Sequence, residues 1–310
     1  MKSSHTYTVL MKGPDDDDNS DPKSRLRFRR RPLRRVLTLP PGAGPHPAVV
    51  LVHGFGATRD MMLPQYEQHF AAAGVATLAF DYRSTGASAG EPRQRISMRR
   101  QRVDVAAAMD FLSTRPEIDS RRIGLWGTSL GGMHVLRVAA ARNDVAVAVV
   151  QCPIVDGIAA ARSLGVRAAL RLMPYAAEDL VRATLRRGRR YVPIVGPPGS
   201  TAAVAEAGWR STLPADGCFD NRVAAGDVIG LVWTSASRRA RDITAPLLVC
   251  VCDRENLIDP ACVARVARLA PRGEVRHYDS DHFEIYHPPL VARVLADQTA
   301  FLREHLDVRP

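Results

Sequence analysis

Ala48–His53 (AVVLVH) is an unbroken, largely β-branched run, the pattern of a strand buried on both faces rather than one with a wet side. Val75–Phe80 (VATLAF), Arg122–Trp126 (RIGLW), Val145–Val150 (VAVAVV), Pro246–Cys252 (PLLVCVC) and Glu274–Tyr278 (EVRHY) also read as strands. The stretches between them, Arg59–Ala73, Met98–Thr114, Leu130–Arg142, one from Pro260 and one from Pro288 to about His305, read as helices. Strands that alternate with helices of this length predict a mostly parallel sheet with right-handed crossovers. RVLTL, within Arg25–Leu39, has the character of an added edge strand.

The alternation stops after Cys152 and resumes at Pro246. Residues 153–244 hold Arg-rich helical segments, a Pro/Gly cluster from Pro193 to Gly199, and Trp209 and Trp233. This is the pattern of a mainly helical cap inserted into an α/β core made of residues 36–152 and 245–310. Leu170, Leu172, Met173, Trp209 and Trp233 are candidates to line an acyl pocket or to form the cap's own core. Residues 1–35 read as a charged arm: Asp15–Asp18 are acidic, Lys23–Arg35 densely basic, and like-charge blocks are usually solvated. The acidic run does not fit a calcium loop, since Ser20 stands where glycine is needed and Leu26 where the closing glutamate belongs.

With 310 residues, 46% of them hydrophobic, the chain is large enough for a full core. No apolar run approaches the roughly 20 residues of a spanning helix. The first residues lack the apolar stretch and small-residue cleavage site of a secretory signal, so a soluble cytoplasmic protein is expected. The formal charge of +11 comes almost wholly from arginine, the lysines being Lys2, Lys12 and Lys23. Without a helix-turn-helix, zinc-finger or aromatic RNA-binding signature, that charge does not predict specific nucleic-acid binding. Five cysteines, Cys152, Cys218, Cys250, Cys252 and Cys262, have no disulfide or metal spacing and read as small buried hydrophobes.

Gly127-Thr128-Ser129-Leu130-Gly131 places G-x-S-x-G between a predicted strand and a predicted helix, the context in which a serine is lifted above the sheet edge as a nucleophile. A serine hydroxyl needs a base. His282, in DSDHFEIY after the last strand, is the candidate; His277 lies inside that strand and His287 leads into the last helix. The base needs a carboxylate on its far nitrogen. The loop after PLLVCVC offers Asp253, Glu255 and Asp259. Glu255, three residues past the strand, has room to turn back, while Asp253 and Asp156 stand as alternatives. Asp81 reads as a loop organiser. For the oxyanion, two backbone N–H groups are needed: Leu130 after the nucleophile, and Phe55 in His53-Gly54-Phe55-Gly56, where glycines admit a close approach.

With HGFG, GTSLGG and DHFEIY in this order, the chain resembles the α/β-hydrolase superfamily, and the stretch from VVLVHGFGATRDMML to VVQCPIVDG is similar to its serine aminopeptidase-like, acetylxylan-esterase-like and polyketide-transferase-like branch. The resemblance covers roughly residues 36–152 and 240–305. It implies an α/β-hydrolase fold, Ser129 and His282 as nucleophile and base, and an acid in a strand-end D-x-D-type segment, whose second carboxylate falls on Glu255 of DRE. Glu for Asp is a departure, as is Cys252 where many relatives carry glycine. Members act on small esters, thioesters or amides without a cofactor or metal, so none is expected. A carboxylesterase-like activity leads; acyl or polyketide transfer by the same acyl-enzyme is the alternative, with peptidase activity and a catalytically silent binding protein behind it.

Overall fold

The computed structural model of the chain describes residues 5–10, 33–197, 199–202, 204–205, 208–213 and 219–308. The acidic run, most of the basic run and Cys218 lie outside them.

The elements in chain order are β1 (His5–Leu10), β2 (Arg34–Leu39), β3 (His46–Val52), α1 (Leu63–Ala72), β4 (Ala76–Phe80), α2 (Met98–Ser113), β5 (Ile118–Thr128), α3 (Leu130–Ala139), β6 (Ala148–Gln151), α4 (Gly157–Leu164), α5 (Val166–Thr184), α6 (Ala225–Val232), β7 (Leu247–Cys252), α7 (Pro260–Leu269), β8 (Gly273–Tyr278) and α8 (Leu290–His305). The eight strands form one sheet in the order β1-β2-β4-β3-β5-β6-β7-β8. The pairings of β1 with β2 and of β2 with β4 are antiparallel; all others are parallel.

The unbroken apolar run of β3 is explained by its two covered faces. Ala48, Val50 and Val52 join Val105, Met109 and Leu112 of α2 and Met133 and Leu136 of α3. Val49 and Leu51 join Tyr66 and Phe70 of α1 and Val294 and Leu302 of α8. Each large side chain so buried contributes roughly 1.5–3 kcal/mol, which fixes the sheet as the rigid floor of the molecule.

Several boundaries differ from the sequence expectation for local reasons. RVLTL lies second in the sheet rather than at its edge, because His5–Leu10, within the segment expected to be an arm, pairs along it. β5 starts four residues earlier than the apolar pattern, at Ile118, since its polar Asp119–Arg121 stretch hides the strand. α1 starts at Leu63, not Arg59: Met62 takes φ 64° and Pro64 sits in the first turn, while the Arg59 amide donates to Asp81 Oδ1 at 2.8 Å.

Between β6 and β7 lie α4, α5, α6, two small two-stranded pairings and 3-10 turns at Trp209–Thr212 and Ser237–Asp242. This segment is tied together and to the core by buried charge. Arg189 pairs with Asp179, whose carboxylate also accepts from the amides of Arg190 (2.6 Å) and Gly226 (2.9 Å). Asp227 of α6 accepts from Arg95 Nε at 2.6 Å and from the Ile96 amide at 2.8 Å, joining the segment to the loop before α2.

Candidate active site

Ser129 stands at the sharp junction of β5 and α3, with φ 54° and ψ −123°. That is a left-handed conformation costing a non-glycine residue about 1–3 kcal/mol, and it persists because the surroundings leave no alternative. The Ser129 amide donates to the Gln151 carbonyl at 3.0 Å. Gln151 is itself held by Tyr66 Oη (3.0 Å) and Gln298 Nε2 (2.8 Å), and Gln298 Oε1 accepts from Trp126 Nε1 at 2.8 Å. A Cβ on Gly131 would lie 2.1 Å from the Val52 carbonyl oxygen and 2.6 Å from that of His53, so only glycine lets α3 begin this close to the end of β3.

The structure brings Ser129, His282 and Glu255 together. Ser129 Oγ donates to His282 Nε2 at 3.0 Å, and His282 Nδ1 donates to Glu255 Oε2 at 2.7 Å. The other carboxylate oxygen, Oε1, accepts from the amides of Asn256 and Leu257, both at 2.9 Å. Glu255 is thus aimed by its own loop, and the side chains of His282 and Glu255 are 3% and 2% exposed. Burial opposes a charge on His282, but the Cys152 sulfur and the Glu255 carboxylate beside it outweigh burial and hold the imidazole well above the ordinary histidine value.

The other candidates lie elsewhere. Asp253 accepts from His277 Nδ1 at 2.6 Å on an exposed face, so this acid and this histidine occupy each other away from Ser129. Asp156 caps α4, accepting from the Ala159 amide at 3.0 Å, and Asp259 caps α7. His287 bonds Ser211 Oγ at 2.9 Å. Asp81 accepts from the amides of Arg59 and Ala87, at 2.8 and 2.9 Å, and organises two loops.

Cys152, beyond the end of β6, is buried at φ 37°, and its sulfur contacts Tyr286 Oη (3.6 Å) and Thr128 Oγ1 (3.5 Å) as well as packing as a small hydrophobe. Cys152, Glu255 and His282 each offer a possible metal-ligand atom within 4.8 Å of one another. Yet the imidazole nitrogen and the carboxylate already share a proton there, and a metal ion would have to displace it.

Ser129 opens into a cavity of about 40 Å³. Its walls come from the loop after β3 (Gly54, Phe55, Met61, Met62), from Phe283 and Tyr286 beside His282, and from Trp209 and Thr212 of the inserted segment. Gly54 matters by what it lacks: a Cβ there would stand 3.1 Å from Ser129 Cβ and 3.5 Å from Oγ. Phe55 lies in this wall, and Leu130 opens α3, where the first N–H groups have no partner within the helix. Of the five apolar residues singled out in the insertion, Trp209 reaches the cavity and Leu172 is buried, whereas Leu170, Met173 and Trp233 are exposed. Sequence reasoning missed Thr212, Phe283, Tyr286 and the two methionines. The adjacency of Phe283 to His282 and of Met61–Met62 to the HGFG loop were the available signals.

Comparison with known proteins places these features in context. Residues 49–294 match the model of the alpha/beta hydrolase family. Quorum-quenching protein AidA of Acinetobacter baumannii is 36% identical over 296 residues, spanning 94% of each chain. Polyketide transferase af380 of Aspergillus fumigatus is 26% identical over 280 residues, 86% of this chain and 92% of its own. Among solved structures, the alpha/beta hydrolase GrgF from a Penicillium species superposes with a TM-score of 0.79 at 21% identity, covering 98% of this chain and 99% of that one. The last likeness establishes the α/β-hydrolase fold.

Proposed function

We propose, from the premise that this chain belongs to the alpha/beta hydrolase family, that it cleaves a small-molecule carboxylic ester or thioester through an acyl-enzyme on Ser129. The observation that carries this reading is the relay from Ser129 Oγ to His282 Nε2 (3.0 Å) and from His282 Nδ1 to Glu255 (2.7 Å). With the Nδ1 proton held by the carboxylate, Nε2 presents its lone pair to the serine hydroxyl, the tautomer a general base requires. His282 takes the serine proton as Oγ attacks the carbonyl carbon. The oxyanion is met by the amides of Phe55 and Leu130. His282 then returns the proton to the departing alcohol or thiol, and water, activated the same way, releases the acid. Glu255 holds the imidazole in orientation and stabilises the imidazolium.

Residues 153–244 act as a cap over this site, since Trp209 and Thr212 belong to that segment and line the same cavity as Ser129. The wall around the serine is mostly apolar, with Phe55, Met61, Met62, Trp209 and Phe283, which suits an acyl chain. The similarity to a protein named for quorum quenching supports a diffusible small molecule as substrate. The similarity to a polyketide transferase supports a second reading, in which an alcohol or amine intercepts the acyl-enzyme in place of water. Nitrophenyl esters of graded chain length, acyl thioesters and acylated amino lactones, each with and without an acceptor alcohol, test both. Hydrolysis with a trapped acyl adduct supports the first reading, and a dominant transfer product supports the second. No turnover of any ester, thioester or lactone overturns both.

A further inference from the structure

Trp209 lines the cavity into which Ser129 opens, is 7% exposed, and its indole N–H is shielded from solvent with no acceptor among the described residues. Buried donors are nearly always paired, and an unpaired one costs about 1–3 kcal/mol. The other polar side chains in the wall are already committed. Thr212 Oγ1 donates to the Trp209 carbonyl at 2.7 Å. Thr128 Oγ1 bonds Tyr286 Oη and the Gln151 carbonyl. His282 is engaged at both nitrogens. His53 keeps one unpartnered nitrogen, but Nδ1 lies 3.1 Å from the Gly54 carbonyl and donates to it, leaving Nε2 a lone-pair acceptor. The Trp209 N–H is the donor left over once the reaction has taken Ser129, His282 and the two oxyanion amides.

The indole is also held still. Its ring packs against Phe219 (centroids 6.1 Å apart) and edge-on against Phe283 (6.2 Å), and Phe283 in turn packs edge-on against His282 (5.1 Å). Gly208, at φ 77°, permits this: a Cβ there would come within 2.4 Å of the Phe283 ring. A donor fixed in this way through a ring next to the base is preorganised to read a second atom of the substrate.

We infer that Trp209 is a specificity-determining residue whose indole N–H donates to a second carbonyl oxygen of the substrate, of a keto or amide group, near the carbonyl that Ser129 attacks. The inference rests on the reading of Ser129 as nucleophile and adds the substrate class. A site built to hydrogen-bond a substrate group discriminates against the analogue that lacks it, because its own polar group is then left buried and unpaired.

The test uses two matched pairs, which also separate the two sources of that oxygen. One is the 3-oxooctanoyl and octanoyl thioesters of ethanethiol, whose leaving group carries no carbonyl of its own. The other is an α-acylamino-γ-butyrolactone and its α-alkyl counterpart. For each pair, the ratio of kcat/KM between the members is measured in the wild type and in Trp209→Phe, so that intrinsic reactivity cancels. The expected result is that the substitution lowers the ratio of the member with the second carbonyl to the member without it by about tenfold or more in at least one pair. An unchanged ratio in both pairs, or an equal loss on both members, overturns the inference. Wild-type turnover of the plain members tests the nucleophile reading separately. If Trp209→Phe does not fold, site-specific replacement by benzothienylalanine, which exchanges only the N–H for sulfur, gives the same readout.

Discussion

Glu255 Oε2 lies 2.7 Å from Nδ1 of His282, and both side chains are withdrawn from solvent. An isolated buried carboxylate would be costly; here one oxygen holds the imidazole while the other takes two backbone amides. The pair is therefore fixed in position as well as in charge.

Glu255→Gln removes that charge and allows the amide to donate to Nδ1, turning His282 to the tautomer that cannot accept from Ser129. The expected loss in kcat is about 10³- to 10⁴-fold. Asp253→Asn, which disturbs only an exposed contact with His277, is expected to leave kcat within about threefold. Steady-state ester hydrolysis checks both, and a larger effect at Asp253 would move the acid there.

The same pair sets the pH dependence. His282 must be neutral to act as base, and its pKa is held above the ordinary histidine value against burial, by the Cys152 sulfur and the Glu255 carboxylate. Turnover is therefore lost as pH falls through a midpoint above about 6.5. Removing the negative charge in Glu255→Gln favours neutral His282, so the residual activity persists to lower pH. A pH–rate profile of kcat/KM for wild type and variant reads the direction of the shift, and a shift to higher pH contradicts the assignment.

Gly54→Ala places a methyl 3.1 Å from Ser129 Cβ and 3.5 Å from Oγ, tight enough to crowd the approach of a carbonyl without a clash of backbone. The expected effect is a fall in kcat/KM of about 10- to 100-fold with an unchanged melting temperature. Gly131→Ala, whose Cβ would sit 2.1 Å from a carbonyl oxygen, is expected to lower the melting temperature as well. Thermal unfolding alongside kinetics separates the two.

Arg189 and Asp179 are 5% and 0% exposed, so Arg189→Met leaves a buried carboxylate uncompensated and is expected to cost about 3–5 kcal/mol. Arg182→Met, which removes an exposed 3.3 Å pair with Glu178, is expected to cost no more than about 0.5 kcal/mol. Chemical denaturation of both variants checks the difference; equal costs would show that the inserted segment does not depend on the Asp179 cluster.

The core strands were legible because a sheet covered on both faces writes itself as local apolar runs, and the meeting of Ser129 with His282 followed from where the turn and the final loop fall between elements. The carboxylate was harder to choose. Asp253 and Glu255 are two residues apart, and what separates them is the turn by which the Glu255 amide reaches the Cys252 carbonyl at 3.3 Å, a feature of the folded loop. β1 was hidden because its partner strand lies far along the chain, beyond the charged runs. In the insertion, periodicity showed apolar residues on α5 but not which face is covered. Leu172 is buried while Leu170 and Met173 are exposed, and Trp209 reaches the cavity from a four-residue 3-10 turn that no periodic pattern announces.

The acyl-enzyme on Ser129 is tested most directly by treating the protein with a fluorophosphonate and mapping the adduct by peptide mass spectrometry, with Ser129→Ala as the control. The expected result is a single phosphonyl group on the peptide carrying Ser129, abolished together with turnover in a Ser129→Ala protein that keeps its circular dichroism spectrum, the loss in rate being about 10⁶-fold. A folded Ser129→Ala protein that still hydrolyses esters at the wild-type rate, or an adduct on another residue, would contradict it.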